Sequence, residues 1–184
     1  AGHADNELPG IARTALHAGW EHLQVLNVRM EEVDRQIEKH AKQDDRASRI
    51  MALPGVGPIT ASALVAAVGS AREFKSGRQF AAWLGLTPRQ NSSGGKAQLG
   101  SITKRGDPYL RMLLVLGARS ALMTAGRRTD RLSRWLAEVQ VRLGWQKALV
   151  ALANKHARII WALLTRDQVF RPDHMPACFT PLQP

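Results

Sequence analysis

From Ala12 to about Lys42 the apolar positions repeat with a helical period. Leu16, Leu23, Met30 and Ile37 recur every seven residues, and Leu26 and Val33 fall three after two of them. Glu31, Glu32, Asp34, Arg35, Glu38 and Lys39 supply charged flanks, while Gly19 and His40 interrupt the stripe. About four heptads are present, close to the shortest run that identifies a coiled coil. Two readings fit: an arm that pairs with another helix or another protomer, or an amphipathic helix packed on its own domain.

The remaining pattern is a series of shorter helices. Arg46 to Leu53 reads as a helix ended by Pro54, and Ile59 to Val68 as an Ala-rich one. A polar loop leads to Arg78–Leu84, a short helix closed by Gly85 and Pro88. Arg89 to Asp107 is polar, Gly-rich and not helical. Asp107 is a plausible N-cap and Pro108 a first-turn residue for a helix to about Thr124. Thr129 or Asp130 can cap another helix reaching Leu143, which Gly144 breaks, and Trp145 to about Arg166 is the last. Leu143, Leu149, Leu152, Ile159, Ile160, Leu163 and Leu164 read as core, with Trp135, Trp145 and Trp161 as core plugs. Pro172, Pro176, Pro181 and Pro184 make the tail irregular.

The expected fold is therefore all-α. A long coiled-coil-like arm (1–45) precedes a helical domain (46–170) with a helix-hairpin-helix at 46–69 and a serine loop at 88–107. A Pro-rich tail (171–184) follows. Composition agrees: hydrophobic residues make up 45% and aromatics only 5%, so small and aliphatic side chains dominate. That suits close-packed helices better than a β-sandwich.

Charge points to a partner. Lys and Arg number 26 against 15 acids, a net of +11. Such a balance calls for a polyanion, nucleic acid before acidic membrane. Arg89 to Arg134 holds ten Lys or Arg and two acids, whereas Ala1 to Asp45 holds nine acids and five bases. The positive charge is thus concentrated in one segment. Cys178 is the only cysteine, so no intrachain disulfide is possible and a reducing, cytoplasmic compartment is expected. Apolar runs such as Met112 to Leu116 are too short to span a bilayer, so no membrane partner is expected. The first residues, Ala-Gly-His-Ala-Asp-Asn-Glu, lack the apolar core of a signal peptide. They also lack Met, which fits truncation or processing.

Leu53-Pro54-Gly55-Val56-Gly57-Pro58-Ile59-Thr60-Ala61 joins two expected helices in the manner of a helix-hairpin-helix. Gly55 and Gly57 allow positive φ and close approach of the main chain. Pro58 suits the first turn of the next helix. Val56 is expected to enter the core and fix the hairpin. The amides at that helix start form an anion site able to hold a phosphate backbone without reading bases. A tight corner between two helices with no ligand is the plainer alternative.

The second constellation is Pro88-Arg89-Gln90-Asn91-Ser92-Ser93-Gly94-Gly95-Lys96, then Gly100-Ser101-Ile102-Thr103-Lys104-Arg105-Gly106-Asp107-Pro108-Tyr109-Leu110-Arg111. Hydroxyls stand in a Gly-rich loop among Arg89, Lys96, Lys104, Arg105 and Arg111. A serine attacks a phosphate only when its proton is removed or the phosphate is strongly polarised. Clustered cations and amides can stabilise the transferred phosphoryl group. The loop is not a P-loop, because Ala97 follows Gly95-Lys96 and Gln90 stands where the first Gly is required. A solvated basic loop resting on phosphates is the alternative.

The run from Leu53 to Arg111 resembles the C-terminal domain of insertion-sequence transposases of the IS one-ten family, especially its eleven-eleven branch, related to pilin-gene invertases. The hairpin, Phe80-Ala81-Ala82-Trp83-Leu84-Gly85-Leu86-Thr87-Pro88-Arg89, Ser92-Ser93-Gly94-Gly95-Lys96 and Ile102-Thr103-Lys104-Arg105-Gly106-Asp107 carry the resemblance. It extends through Arg166, and the arm resembles the family's coiled-coil linker. The resemblance implies a loop serine that joins covalently to DNA during strand exchange, with Ser93 the best match and Ser92 the fallback. Lys96, Lys104, Arg105 and Arg111, with Arg89 beside them, would steady phosphates, and Gly55, Val56 and Gly57 would dock the backbone. It also implies a separate N-terminal domain, similar to Holliday-junction resolvases, whose acids hold Mg²⁺, a bridging RNA, self-association through the arm, and a bacterial, nucleoid-associated setting. No acidic cluster or histidine spacing in this sequence suggests a metal or cofactor site. The rival expectations are a helix-hairpin-helix module that grips DNA without chemistry, and a fragment that mainly self-associates.

Overall fold

The structure, a computed structural model, describes residues 9–90, 99–166 and 168–171. Among them are seven helices: α1 (Gly10–Gln43), α2 (Asp45–Met51), α3 (Pro58–Val68), α4 (Gly77–Trp83), α5 (Pro108–Ala125), α6 (Arg131–Leu143) and α7 (Trp145–Arg166). One small antiparallel pair, β1 (Pro88–Gln90) and β2 (Leu99–Ile102), stands between α4 and α5. The class is all-α with a long N-terminal helix, as the periodicity implies.

Side-chain caps set the starts of four helices, and two of these are expected from sequence. The Asp107 carboxylate accepts from the amides of Tyr109 and Leu110 at 2.7 and 3.2 Å, starting α5. Asp130, and not Thr129, caps α6 by accepting from the Ser133 amide. Asp44 starts α2 and Ser76 starts α4 in the same way. Gly144 ends α6 at φ +81°, a conformation that costs glycine little.

Helix α1 has 34 residues and runs about 51 Å at 1.5 Å per residue. Its C-terminal turns, around half-buried Ile37 and buried Ala41, pack on α2 and α3. Leu16, Trp20, Leu23, Leu26, Met30 and Val33 are exposed. From Leu16 to Val33 the heptad stripe therefore does not pack on its own domain.

The core is organised around α7, which packs against α4, α5 and α6. Ala148, Leu149, Leu152, Ala153, Ala157, Ile160, Leu163 and Leu164 are buried at helical spacing. Phe80, Leu84 and Leu86 meet them from the α4 side, and Leu110, Leu114 and Ala118 come from α5. Two side chains of α7 tie loops down: Asn154 Nδ2 donates to Leu86 O and Trp161 Nε1 to Phe74 O, both at 3.0 Å. Ile159, Trp135 and Trp161 are partly buried against this core. Two core expectations need correction: Leu143 and Trp145 are 41% and 37% exposed, because no described element covers the start of α7 there. Trp145 instead flanks an open apolar groove with Leu116 and Met123 of α5.

Candidate nucleic-acid interface

The turn between α2 and α3 is built on two close approaches. Gly55 sits at φ +82°, and a Cβ there would overlap the carbonyl of Gly117 in the middle of α5. A Cβ on Gly117 would in turn overlap the carbonyl of Gly55. The hairpin thus rests directly on the backbone of α5. Val56 is 6% exposed, inside the core as expected, and its amide donates to Leu53 O at 3.0 Å. Gly57 is different: its backbone caps α3, and nothing lies within 4 Å of where its Cβ would be.

Helix α3 has no side-chain cap, and Pro58 occupies its first turn. The amides of Ile59 and Thr60 consequently have no intrahelical acceptor, and the helix dipole makes that end attractive to an anion. Of the three hairpin residues named from sequence, Gly55 and Val56 shape the turn, while Gly57 lies at the open end. An open cavity of about 520 Å³ adjoins the turn, and Ser120 and Arg128 also line it. In the sequence Arg128 is only one of the ten Lys or Arg between Arg89 and Arg134, and Ser120 carries no signal; only the packing of α5 on the hairpin joins them to it.

The serine segment proved more ordered at its base than its polar composition suggests. Residues 88–107 do not form one irregular stretch: Pro88 pairs with Ile102 and Gln90 with Leu99, with a shift of register between them. Two further bonds continue the ladder, Thr103 N to Thr87 O at 2.9 Å and Lys104 N to Gly85 O at 3.1 Å. The strands span only three and four residues, and all three of β1 are exposed, so no alternation marks them in sequence. Ser92, Ser93 and Lys96 lie outside the described residues, between the two strands.

At the base of this pair Arg89, Lys104 and Arg105 are exposed. Lys104 has φ +57°, a left-handed backbone that costs a side-chain-bearing residue about 1–2 kcal/mol. Tight packing holds it there. A Cβ on Gly85, at φ +71°, would come within 2.8 Å of the amides of Arg105 and Gly106, and one on Gly106 would overlap the carbonyl of Trp83. Arg111 behaves differently from its neighbours. It is half-buried, and its Nη1 donates to Leu84 O at 3.2 Å and Gly106 O at 3.1 Å. It clamps the Lys104–Arg105 loop to the end of α4, a role sequence reading did not foresee.

Both loops therefore bear on α5, one at its first turn and one at Gly117. Gly117 lies nine positions after Pro108, about 14 Å along the helix axis. Among the described residues no group of three His, Cys, Asp or Glu could hold a metal ion, and no helix is long and apolar enough to cross a membrane.

Residues 47–133 match the family described as Transposase IS116/IS110/IS902. The chain is 51% identical over 152 residues to a probable family 20 transposase of Pseudomonas aeruginosa, a match covering 83% of this chain and 45% of that protein. It is 45% identical over 138 residues to the transposase for insertion sequence element IS1111A of Coxiella burnetii, covering 75% and 38%. It is 39% identical over 166 residues to the transposase for insertion sequence element IS1328 of Yersinia enterocolitica, covering 90% and 50%. The chain spans about half the length, or less, of these curated relatives. The hairpin, the paired strands around the serines and α5 all fall within the matched segment, and the chain belongs to the IS116/IS110/IS902 transposase family.

Proposed function

We propose that this chain is the DNA-handling, C-terminal part of an insertion-sequence transposase that exchanges DNA strands through a serine nucleophile. One observation carries the reading: β1 and β2, the strands on either side of Ser92 and Ser93 in the sequence, pair with exposed Arg89, Lys104 and Arg105 at their base, and Arg111 of α5, the helix on which the hairpin rests, holds that base. A strand lying along α5 would meet amides at Gly57 and cations at the serine loop. Such contacts hold the phosphate backbone and leave base choice to another reader. A bridging RNA, implied by the family resemblance, is proposed as that reader.

Ser93, with Ser92 as the fallback, is the nucleophile in this reading. Its Oγ forms a bond to a backbone phosphorus as the bond from that phosphorus to a deoxyribose oxygen breaks. The serine proton passes, in net, to the departing sugar hydroxyl. Attack by a hydroxyl of the incoming strand reverses the step and frees the serine. Lys96, Lys104 and Arg105, with Arg89, offset the charge on the phosphoryl oxygens. Arg111 acts at one remove, by holding their loop. The described residues do not fit Mg²⁺, so an ion of the kind the family resemblance implies would be held by acids of a domain outside this chain.

The decisive experiment traps a covalent adduct on labelled element-end DNA with the full-length protein, metal and RNA. The adduct is expected to vanish in Ser93→Ala. An adduct that survives both Ser93→Ala and Ser92→Ala ends the catalytic reading. This chain alone is expected to shift duplex DNA with a steep salt dependence and to form no adduct. The exposed stripe of α1 favours self-association alongside this role.

A further inference from the structure

The cavity beside the hairpin contains a cation that the reading above does not use. Arg128 lies in the turn joining α5 to α6 and lines the cavity together with Leu53–Gly57. Its Nε donates to Asp130 Oδ2 at 3.0 Å, and its side chain remains 44% exposed. The same carboxylate accepts from the Ser133 amide at 3.0 Å and the Ser133 hydroxyl at 2.8 Å. Asp130 thus fixes the α6 terminus and one edge of the guanidinium together. Burial opposes its ionisation, yet the bonds from Ser133 and Arg128 prevail and hold its pKa below the ordinary value.

An arginine anchored through Nε keeps its two terminal nitrogens for a ligand. Those of Arg128 make no hydrogen bond to the described residues. Paired terminal N–H groups match two oxygens of a phosphate in one plane. The rest of the lining suits the same ligand: it is the end of α2, the glycine turn as far as Gly57, which precedes α3 without a side-chain cap, and Ser120, and none of these residues is acidic.

We propose that this cavity is a phosphodiester site in which Arg128 is the cation and Asp130 the residue that positions it. The inference rests on the hairpin's reading as a nucleic-acid docking surface and adds a specific side chain to it. The shared chemistry is the sugar–phosphate backbone, and separate DNA and RNA probes identify which strand supplies it.

The test measures affinity of the whole 184-residue chain for fluorescent duplex DNA and, separately, duplex RNA across a salt series. Arg128→Ala is expected to weaken binding roughly tenfold at low salt and to reduce the slope of log affinity against log salt by about one. The probe that loses this slope is the one whose phosphate occupies the site. Arg142→Ala, which removes an exposed arginine from the last turn of α6, is the charge control and is expected to change the slope far less. Asp130→Asn retains an N-cap residue but removes the charge that orients Arg128. It is expected to weaken binding severalfold while leaving the salt slope near that of the unmodified chain, since Arg128 remains. Arg128→Gln repeats the measurement should the alanine variant unfold. Equal slopes for the Arg128 and Arg142 variants, with the parent chain binding normally, overturn the site but leave the docking surface standing. Failure of the parent chain to bind either probe overturns both.

Discussion

At the scale of single residues, the tightest constraints are a pair of glycines and a histidine. Gly55 and Gly117 exclude each other's Cβ, so neither position has room for a methyl group without moving the hairpin from α5. Gly117→Ala is expected to cost about 1–3 kcal/mol, as overpacking does elsewhere. Urea unfolding of the two proteins measures it, and an unchanged midpoint would refute the contact. His156 is fully buried, with neither ring nitrogen hydrogen-bonded. Burial, and secondarily the charge of Lys155, lowers its pKa from 6.5 to about 4. The native ring is therefore neutral while the unfolded ring binds a proton near its ordinary value. Stability is complete above about pH 6.5 and declines as pH falls toward 4, by up to about 3 kcal/mol. Asp44, lowered to about 2 by its bond from Arg46, contributes stability that fades only at lower pH, so the two effects separate. Urea midpoints at about pH 7 and about pH 5 should differ for the parent chain and much less for His156→Leu. Equal pH dependence would clear the histidine of the effect.

At the scale of elements, the helices were legible and the strands were not. Helix α7 spans Trp145–Arg166, where the apolar spacing and Gly144 place it, and α5 begins where Asp107 and Pro108 indicate. Caps and helical spacing are local, so they survive in a single sequence. The β pair depends on Gly85, Thr87, Thr103 and Lys104 meeting across residues 91–98, and its first strand is exposed throughout, so no alternation betrays it. Arg111 holds that meeting point. Arg111→Ala removes bonds to Leu84 and Gly106 and is expected to cost about 1–2 kcal/mol. Hydrogen exchange at the Lys104 amide, which donates to Gly85, should accelerate. An unaltered rate would mean that the loop keeps its place without the clamp.

At the scale of the whole molecule, charge and shape are divided. Helix α1, whose five acids and five Lys or Arg cancel, carries an uncovered apolar stripe, while the basic segment surrounds the two loops on α5. Coiled-coil pairing of the arm predicts a mass that rises with concentration. Leu23→Glu combined with Met30→Glu should abolish that rise in analytical ultracentrifugation and leave the helical domain's melting temperature nearly unchanged, since both positions are exposed. A mass that stays concentration-dependent in the double variant would locate the interface elsewhere.

Sequence by itself determined the helical class, the cap at Asp107, the heptad stripe and the order of motifs that resembles the transposase family, because these depend on neighbours within a few residues or on linear order. Tertiary structure alone decided that Gly55 faces Gly117, that Arg111 turns inward, and that Arg128 joins the hairpin's cavity. Those facts depend on how helices distant in the chain approach one another, and such approach is set by the packing of the whole core around α7.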